Sequence, residues 1–335
     1  LGAERADAFA VPLASSAELS PALAVVQADV QLAQAISNTA PEVVHSHTWY
    51  ANLAGSLAAQ SLDVPHLITA HSLEPRRPWK AEQLGGGYRV SSWIEAETYR
   101  SADAIIAVSA GMRHDVLDCY PFIDASKVKI VHNGIDVSVF QPTLDAAVLA
   151  KYGIDHRRPY VLFVGRITRQ KGLIHLLRAA RSLPAEVQLV LAASSPDEKT
   201  IGDEVAAAVA GLKAARPHDV VWIESMVSKR ELIVLLSHAA VFACPSIYEP
   251  LGIVNLEAMA CATPVVASAV GGIPEVVVNG LTGMLVEYEP NRVADFEEGL
   301  AQSLNHVLNR PLDAVAMGEA GRRRAAEHFD WAQIA

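Results

Sequence analysis

Short apolar runs alternate with longer helical repeats along most of this chain. The runs at 42–45, 65–71, 104–108, 127–131, 159–164, 187–193, 220–224, 240–245, 264–268 and 284–286 read as strands. Apolar residues recur at helical spacing over 50–62, 91–100, 111–119, 172–182, 201–215, 229–238 and 252–261. Strands apolar on both faces, each followed by a helix, predict parallel sheets in an α/β protein. So many strands exceed one comfortable sheet. The pattern breaks between Asp136 and Arg158, where Pro142, Gly153 and the cluster His156-Arg157-Arg158-Pro159 interrupt it. We therefore expect two doubly wound domains joined near residues 137–158, the second restarting at Tyr160-Val-Leu-Phe-Val-Gly165. The corresponding divisions are 1–140, 141–325 and a final segment 326–335, and the tail from Asn291 reads as helical. Residues 1–20 show no periodicity, and Leu1 is not an initiator. No basic stretch followed by an apolar one reads as a leader, so the start is expected to fall within a domain.

The 335 residues suffice for two domains, and 51% of them are hydrophobic, enough for sizeable cores. The formal net charge of −10 argues against a nucleic-acid binder, which would present a basic face. Cys119, Cys244 and Cys261 are sparse and unclustered, as expected for free thiols in a reducing compartment, the cytoplasm. The longest apolar run, 232–244, is interrupted by Ser237 and His238, so no membrane span is expected.

In open α/β sheets ligands bind beyond the carboxyl ends of strands, and suggestive residues collect there. Gly165-Arg166-Ile-Thr-Arg-Gln-Lys171-Gly172 follows one strand, and two cations on such a loop suit a diphosphate, although a solvated basic loop would look the same. A second anion site is Leu251-Gly252-Ile253, which opens a helix whose first amides lack intrahelical partners. Two glutamates flank it. Glu249 stands in a Tyr-Glu-Pro-Leu-Gly turn, where a sugar hydroxyl or plain solvent would satisfy it. Glu257 lies more than one turn into the helix among apolar neighbours and needs a donor such as a ribose diol, a buried Arg or a backbone amide.

Together, Gly165-Arg166 with Lys171-Gly172, then Glu249-Pro-Leu-Gly252 with Glu257-Ala258, resemble the signature of a known family. It is the retaining, nucleotide-sugar-dependent glycosyltransferases of the glycogen-synthase-like family, family 4. Their fold, GT-B, is two Rossmann-like doubly wound domains facing across a cleft. Ala70-His71, Asn133-Gly134-Ile135-Asp136, Gly271-Gly272-Ile-Pro-Glu275, Asn279-Gly-Leu-Thr-Gly283 and Phe329-Asp-Trp331 extend the likeness from about Pro41 to the end. His45-Ser-His-Thr-Trp-Tyr50 and the stretch from Trp79 to Trp93 look closest to the actinobacterial glycogen-synthase branch.

The resemblance implies transfer of glucose from a nucleotide sugar, ADP-glucose, to an α-glucan end or to glucose 1-phosphate, in glycogen or maltose 1-phosphate synthesis. It implies that Arg166 and Lys171 bind the donor phosphates, that Glu257 holds the ribose, and that Glu249 with the amides of Leu251, Gly252 and Ile253 holds the sugar and distal phosphate. His71 would meet the sugar across the cleft and Asn133 would also contact it; alone, the first reads equally as a core histidine and the second as a turn. Met226 and Val227 would lie against the base. It implies no cofactor and no metal. His45, His47 and His71 lack a carboxylate or cysteine to complete a metal set, and the chain has no Asp-x-Asp. A homodimer is an assembly the resemblance allows; nucleic-acid and membrane partners are not expected. The family also opens with a strand and a glycine-rich loop, neither of which reads before Pro41, and its last helix crosses back to the first domain. Two alternatives therefore stand beside the main one: a related transferase acting on a lipid or small-thiol precursor, and a non-catalytic nucleotide-sugar-binding fragment.

Overall fold

The computed structural model describes residues 21–81, 86–216 and 219–334. The irregular opening expected at 1–20, and residues 82–85 of the stretch between Trp79 and Trp93, lie outside the described residues. The chain divides into two compact units, Leu1–Val131 and His132–Ala335. The division precedes the weak stretch 137–158 because residues just after it are fastened to the far end of the chain. The Ile135 amide donates to the Phe329 carbonyl (2.7 Å), and the Trp331 amide returns a bond to Ile135 (3.2 Å).

The first unit is a four-stranded parallel sheet in the order β1-β2-β3-β4. The strands are β1 (Val44–His47), β2 (His66–Ala70), β3 (Ala104–Ala107) and β4 (Val128–Ile130). The helices are α1 (Pro21–Ser37), α2 (Trp49–Leu62), α3 (Gly86–Ser101) and α4 (Ala110–Cys119). All four strands fall where the apolar pattern places them. α1 was not anticipated, yet its buried Ala22, Val25, Asp29, Ala33 and Ile36 follow helical spacing. Ala33 and Ile36 pack with Val44, Ala58 and Ala59.

The second unit is a six-stranded parallel sheet in the order β10-β9-β8-β5-β6-β7. Its strands are β5 (Tyr160–Ile167), β6 (Gln188–Pro196), β7 (Val220–Ile223), β8 (Val241–Cys244), β9 (Val265–Ser268) and β10 (Gly283–Val286). Its helices are α5 (Ala146–Lys151), α6 (Leu173–Ala179), α7 (Lys199–Ala215), α8 (Lys229–His238), α9 (Ile253–Ala260), α10 (Ile273–Val276), α11 (Val293–Leu308), α12 (Pro311–His328) and α13 (Trp331–Ile334). β8 and β9 are buried at every position, as strands covered by helices on both faces must be. α8 starts where it does because Ser228 and Glu231 form a reciprocal cap, each side chain bonding the other's backbone amide.

β5 and β8 are neighbours, with Val161 opposite Val241 and Leu162 opposite Phe242. From β5 the chain winds outward to β6 and β7; it then returns to β8 and winds the other way. The connections leaving β5 and β8 therefore diverge at their carboxyl ends and open a crevice, the place where such sheets receive ligands.

Candidate functional site: the β5 and β8 crossover

β5 runs further than its apolar core. The sequence places its end at Gly165, but the strand continues through Ile167, with Arg166 opposite Ser194. The register then slips, Ile167 facing Pro196. Such a slip bends a strand and re-aims its side chains. Arg166 is thus a strand residue rather than a loop residue. It is 67% exposed, with Nη1 donating to Asp197 Oδ1 at 2.9 Å.

After β5, the Thr168 hydroxyl accepts from the Lys171 amide (3.3 Å) and caps a short 3₁₀ turn, Arg169–Lys171. Gly172 then takes φ +63°, and a Cβ there would lie 2.0 Å from the Pro245 carbonyl oxygen. Glycine is required on both counts. The Ile247 amide donates to the Gln170 carbonyl at 2.9 Å. These two close approaches hold the β5 and β8 connections together.

Lys171 and Glu249 meet at this seam. Lys171 Nζ donates to Glu249 Oε2 at 2.7 Å, and Ser246 Oγ donates to the same oxygen at 3.2 Å. Both bonds fall on Oε2, so Oε1 has no partner among the described residues. Burial pushes the Lys171 ammonium down, but Glu249 outweighs it and holds the pKa above its ordinary value. The Glu249 carbonyl accepts from the Gly272 amide (3.0 Å), and a Cβ on Gly271 would lie 2.0 Å from that oxygen. The Gly271-Gly272 pair is thereby explained as a brace for the Glu249 turn.

Leu251 is buried, Gly252 takes φ +94°, and Ile253 begins α9 with its side chain partly exposed. The Asn255 amide turns back to the Gly252 carbonyl at 2.9 Å. The amides of Ile253 and Val254 have no acceptor among the described residues, so the helix start presents free donors. Glu257 follows one turn later. Its carboxyl has no hydrogen-bond partner among the described residues. Burial raises its pKa to about 7, which Lys229 and Lys171 only partly oppose. Neither an arginine nor a backbone amide bonds it among the described residues.

Val227 is half-buried and Met226 is 89% exposed, both on the connection from β7 to α8. Lys229, two residues on, lies near enough to Glu257 to act on its charge. Asn133 is half-buried, with no side-chain partner among the described residues. Beside it Gly134 packs on Trp331, where a Cβ would come within 2.6 Å of the indole, and His132 Nε2 meets Glu275 Oε2 at 3.0 Å. In the first unit His71 stands just past the end of β2, with Nε2 2.9 Å from His47 Nδ1.

Sequence reasoning missed Ser246 and Asp197, the partners of Glu249 and Arg166. Ser246 could have been suspected from its position three residues before Glu249; Asp197, 31 residues beyond Arg166, gives no local signal. It also missed the buried hub after His71. There Glu74 Oε2 accepts from Ser91 (2.8 Å) and Oε1 from Arg77 (2.5 Å). The Glu74 amide donates to Glu95 Oε1 at 2.9 Å. Among the described residues no His, Cys, Asp and Glu side chains group to hold a metal ion. Among them too, no helix is long and apolar enough to cross a membrane.

Comparison with known proteins places the chain in a family. The pattern described as "Glycosyl transferases group 1" covers residues 146–324, and that of "Glycosyltransferase Family 4" covers 5–139. The chain is 52% identical to an alpha-maltose-1-phosphate synthase of Mycolicibacterium smegmatis, over all of this chain and 87% of that protein. It is 32% identical to a glycogen synthase of Mycobacterium tuberculosis, over 88% of this chain and 67% of that one. Among solved structures, sucrose-phosphate synthase from Thermosynechococcus elongatus superposes with a TM-score of 0.77 at 27% identity, covering 93% of this chain and 76% of that chain. The fold of both units and the matched patterns agree: this chain belongs to the family 4 glycosyltransferases of the GT-B fold and is a hexosyltransferase.

Proposed function

We propose that this protein transfers glucose from ADP-glucose to glucose 1-phosphate, giving maltose 1-phosphate and ADP, with retention at the anomeric carbon. The alternative acceptor within the same chemistry is the end of an α-glucan. The observation that carries the donor half is the Lys171–Glu249 pair beside the free amides of α9 and the unpartnered Glu257. The name of the 52% identical relative supports the acceptor.

Each group has a task in this reading. The bond from glucose C1 to the diphosphate oxygen breaks, and charge develops on that oxygen. Donors already aimed at it lower the barrier. Lys171 carries three ammonium hydrogens and gives one to Glu249, so others remain for phosphate. Arg166 and the amides of Ile253 and Val254 supply more, Gly252 letting the diphosphate approach the backbone. Glu257 accepts from the ribose diol. Glu249 Oε1 accepts from a glucose hydroxyl, and His71 and Asn133 bond the same sugar. Met226 and Val227 border the base, and Gly165 leaves room beside the Lys171 stem. The acceptor hydroxyl attacks C1 on the side the diphosphate leaves, and its proton passes to the departing phosphate oxygen. Positive side chains do the work a metal would otherwise do, so we propose that none is needed. Residues 1–140 would serve the acceptor and 141–325 the donor. The three free cysteines support a cytoplasmic location.

The test offers ADP-glucose and UDP-glucose, each with glucose 1-phosphate and with glycogen, and identifies products by mass and NMR. Maltose 1-phosphate formed fastest from ADP-glucose is expected. Transfer to glycogen alone would move the acceptor assignment to the glucan, and a preference for UDP-glucose would overturn the donor.

A further inference from the structure

The first unit carries a row of imidazoles on β1 and just past β2, His45, His47 and His71, of which the transfer chemistry above uses only His71. His47 and His71 share one hydrogen bond, Nδ1 to Nε2, 2.9 Å long. Their rings lie edge to edge and nearly coplanar, with centroids 5.2 Å apart and planes 22° apart. His47 also meets His45, centroids 4.4 Å apart. His45 is itself fixed, its Nε2 lying 2.8 Å from Thr69 Oγ1. Nδ1 of His71 has no partner among the described residues.

The backbone beneath this row is strained. Thr48, next to His47, has φ +64° and ψ 159°. A β-branched residue there is a genuine outlier, in a region otherwise left to glycine, and such strain persists only where the surroundings over-determine it. Here they do. The Thr48 carbonyl accepts from the Ala51 and Asn52 amides (3.1 and 3.0 Å). Ser46 Oγ donates to Asn52 Oδ1 at 2.9 Å and also meets His66 Nε2 at 2.8 Å. Trp49 is buried at the start of α2. His47 therefore sits between two immobilised residues, Ser46 and Thr48.

We infer that His47 is a positioning residue: the Nδ1–Nε2 bond, backed by the His45 ring and the strained Thr48 pedestal, fixes the ring plane and tautomer of His71 and leaves His71 Nδ1 to meet a substrate hydroxyl. One proton occupies the bond between two neutral imidazoles, so the tautomer of one sets that of the other. Partial desolvation depresses all three pKa values, and the neighbouring imidazoles add to this at His71 and His45, which keeps the row neutral as a single shared proton requires. The inference rests on the reading of His71 as a sugar contact.

Steady-state kinetics and melting of the full chain test it. His47 is exposed, so His47→Ala should leave the melting temperature unchanged. Its kcat should fall about 10- to 100-fold with donor KM within about threefold, the signature of a misplaced rather than missing group. His47→Asn, whose amide stands where Nδ1 stands, should recover most of kcat. Thr48→Gly should melt higher yet turn over more slowly. His71→Ala separates the two levels of the argument. If it turns over normally, the reading of His71 fails and positioning fails with it. If it is inactive while His47→Ala keeps the native kcat, positioning alone is overturned. A loss at His47→Ala that Asn does not recover overturns the tautomer argument, and Thr48→Gly with native kcat removes the pedestal.

Discussion

Glu257→Gln should stabilise the protein while weakening its grip on nucleotide. The carboxyl lies on α9 without a partner, and burial lifts its pKa from 4.5 to about 7. A rise of that size corresponds to roughly 3 kcal/mol against the ionised native form above pH 7. Glu257 is partly exposed, so solvent screening brings the expected penalty to about 1–2 kcal/mol. The sign follows from proton binding. Because the native state holds the proton more tightly than the unfolded chain, this group's contribution is intact below pH 4.5 and is lost as pH rises to about 7. Glutamine keeps the shape and never ionises. The variant should therefore melt with the parent near pH 4.5 and a few degrees above it at pH 8, as ~1–2 kcal/mol implies for a unit of this size. A ribose diol donates to the ionised form, so ADP should bind the parent more tightly as pH rises, levelling off near pH 7. Below that, affinity should fall by about tenfold per pH unit. The variant should bind about tenfold or more weakly at pH 8 and lack this dependence, which also controls for titration of the phosphate itself. Thermal melts at several pH values and titration calorimetry with ADP supply both readouts. Superimposable melting profiles with equal ADP affinity would refute the assignment of Glu257 as an unpartnered acceptor awaiting the ribose.

Lys171→Ala leaves Glu249 without its counter-charge; we expect at least a 100-fold loss of turnover and about 1–3 kcal/mol of stability in denaturant melts, and native turnover would exclude Lys171 from the leaving-group site. Arg166→Ala removes a mostly exposed side chain, so stability should stay within about 0.5 kcal/mol while turnover falls at least tenfold; a stability loss without a rate loss would make it structural. Gly172→Ala forces a left-handed backbone costing about 1–2 kcal/mol and drives Cβ against the Pro245 carbonyl. It should melt several degrees lower and slow transfer by shifting Lys171, and an unchanged melt would show that the seam is loose.

The strands were legible because each is a short run of branched apolar residues bounded by polar or glycine-rich turns. In a two-faced parallel sheet, burial and sequence then carry the same signal. α1 was not legible because it is rich in alanine and has one buried aspartate on its inner face, so its apolar stripe is faint. α5 is too short to show a period at all. At the site, the glutamates, Lys171 and the glycines stood out by type and spacing. The distant partners did not, because Asp197 and Pro245 come from other strands and loops than Arg166 and Gly172.

Local chemistry in the chain determined that parallel α/β units form, that glycine must stand at Gly172 and Gly252, and that charged residues gather where strands end. Strand order was decided only in three dimensions. The return from β7 to β8 beside β5 joins segments about 80 residues apart and makes Lys171 the counter-ion of Glu249. No sequence periodicity specifies that pairing; hydrogen bonding along β5 and β8 and close backbone packing at Gly172 and Pro245 do. The same holds for His47 and His71, whose shared proton depends on the register of β1 against β2.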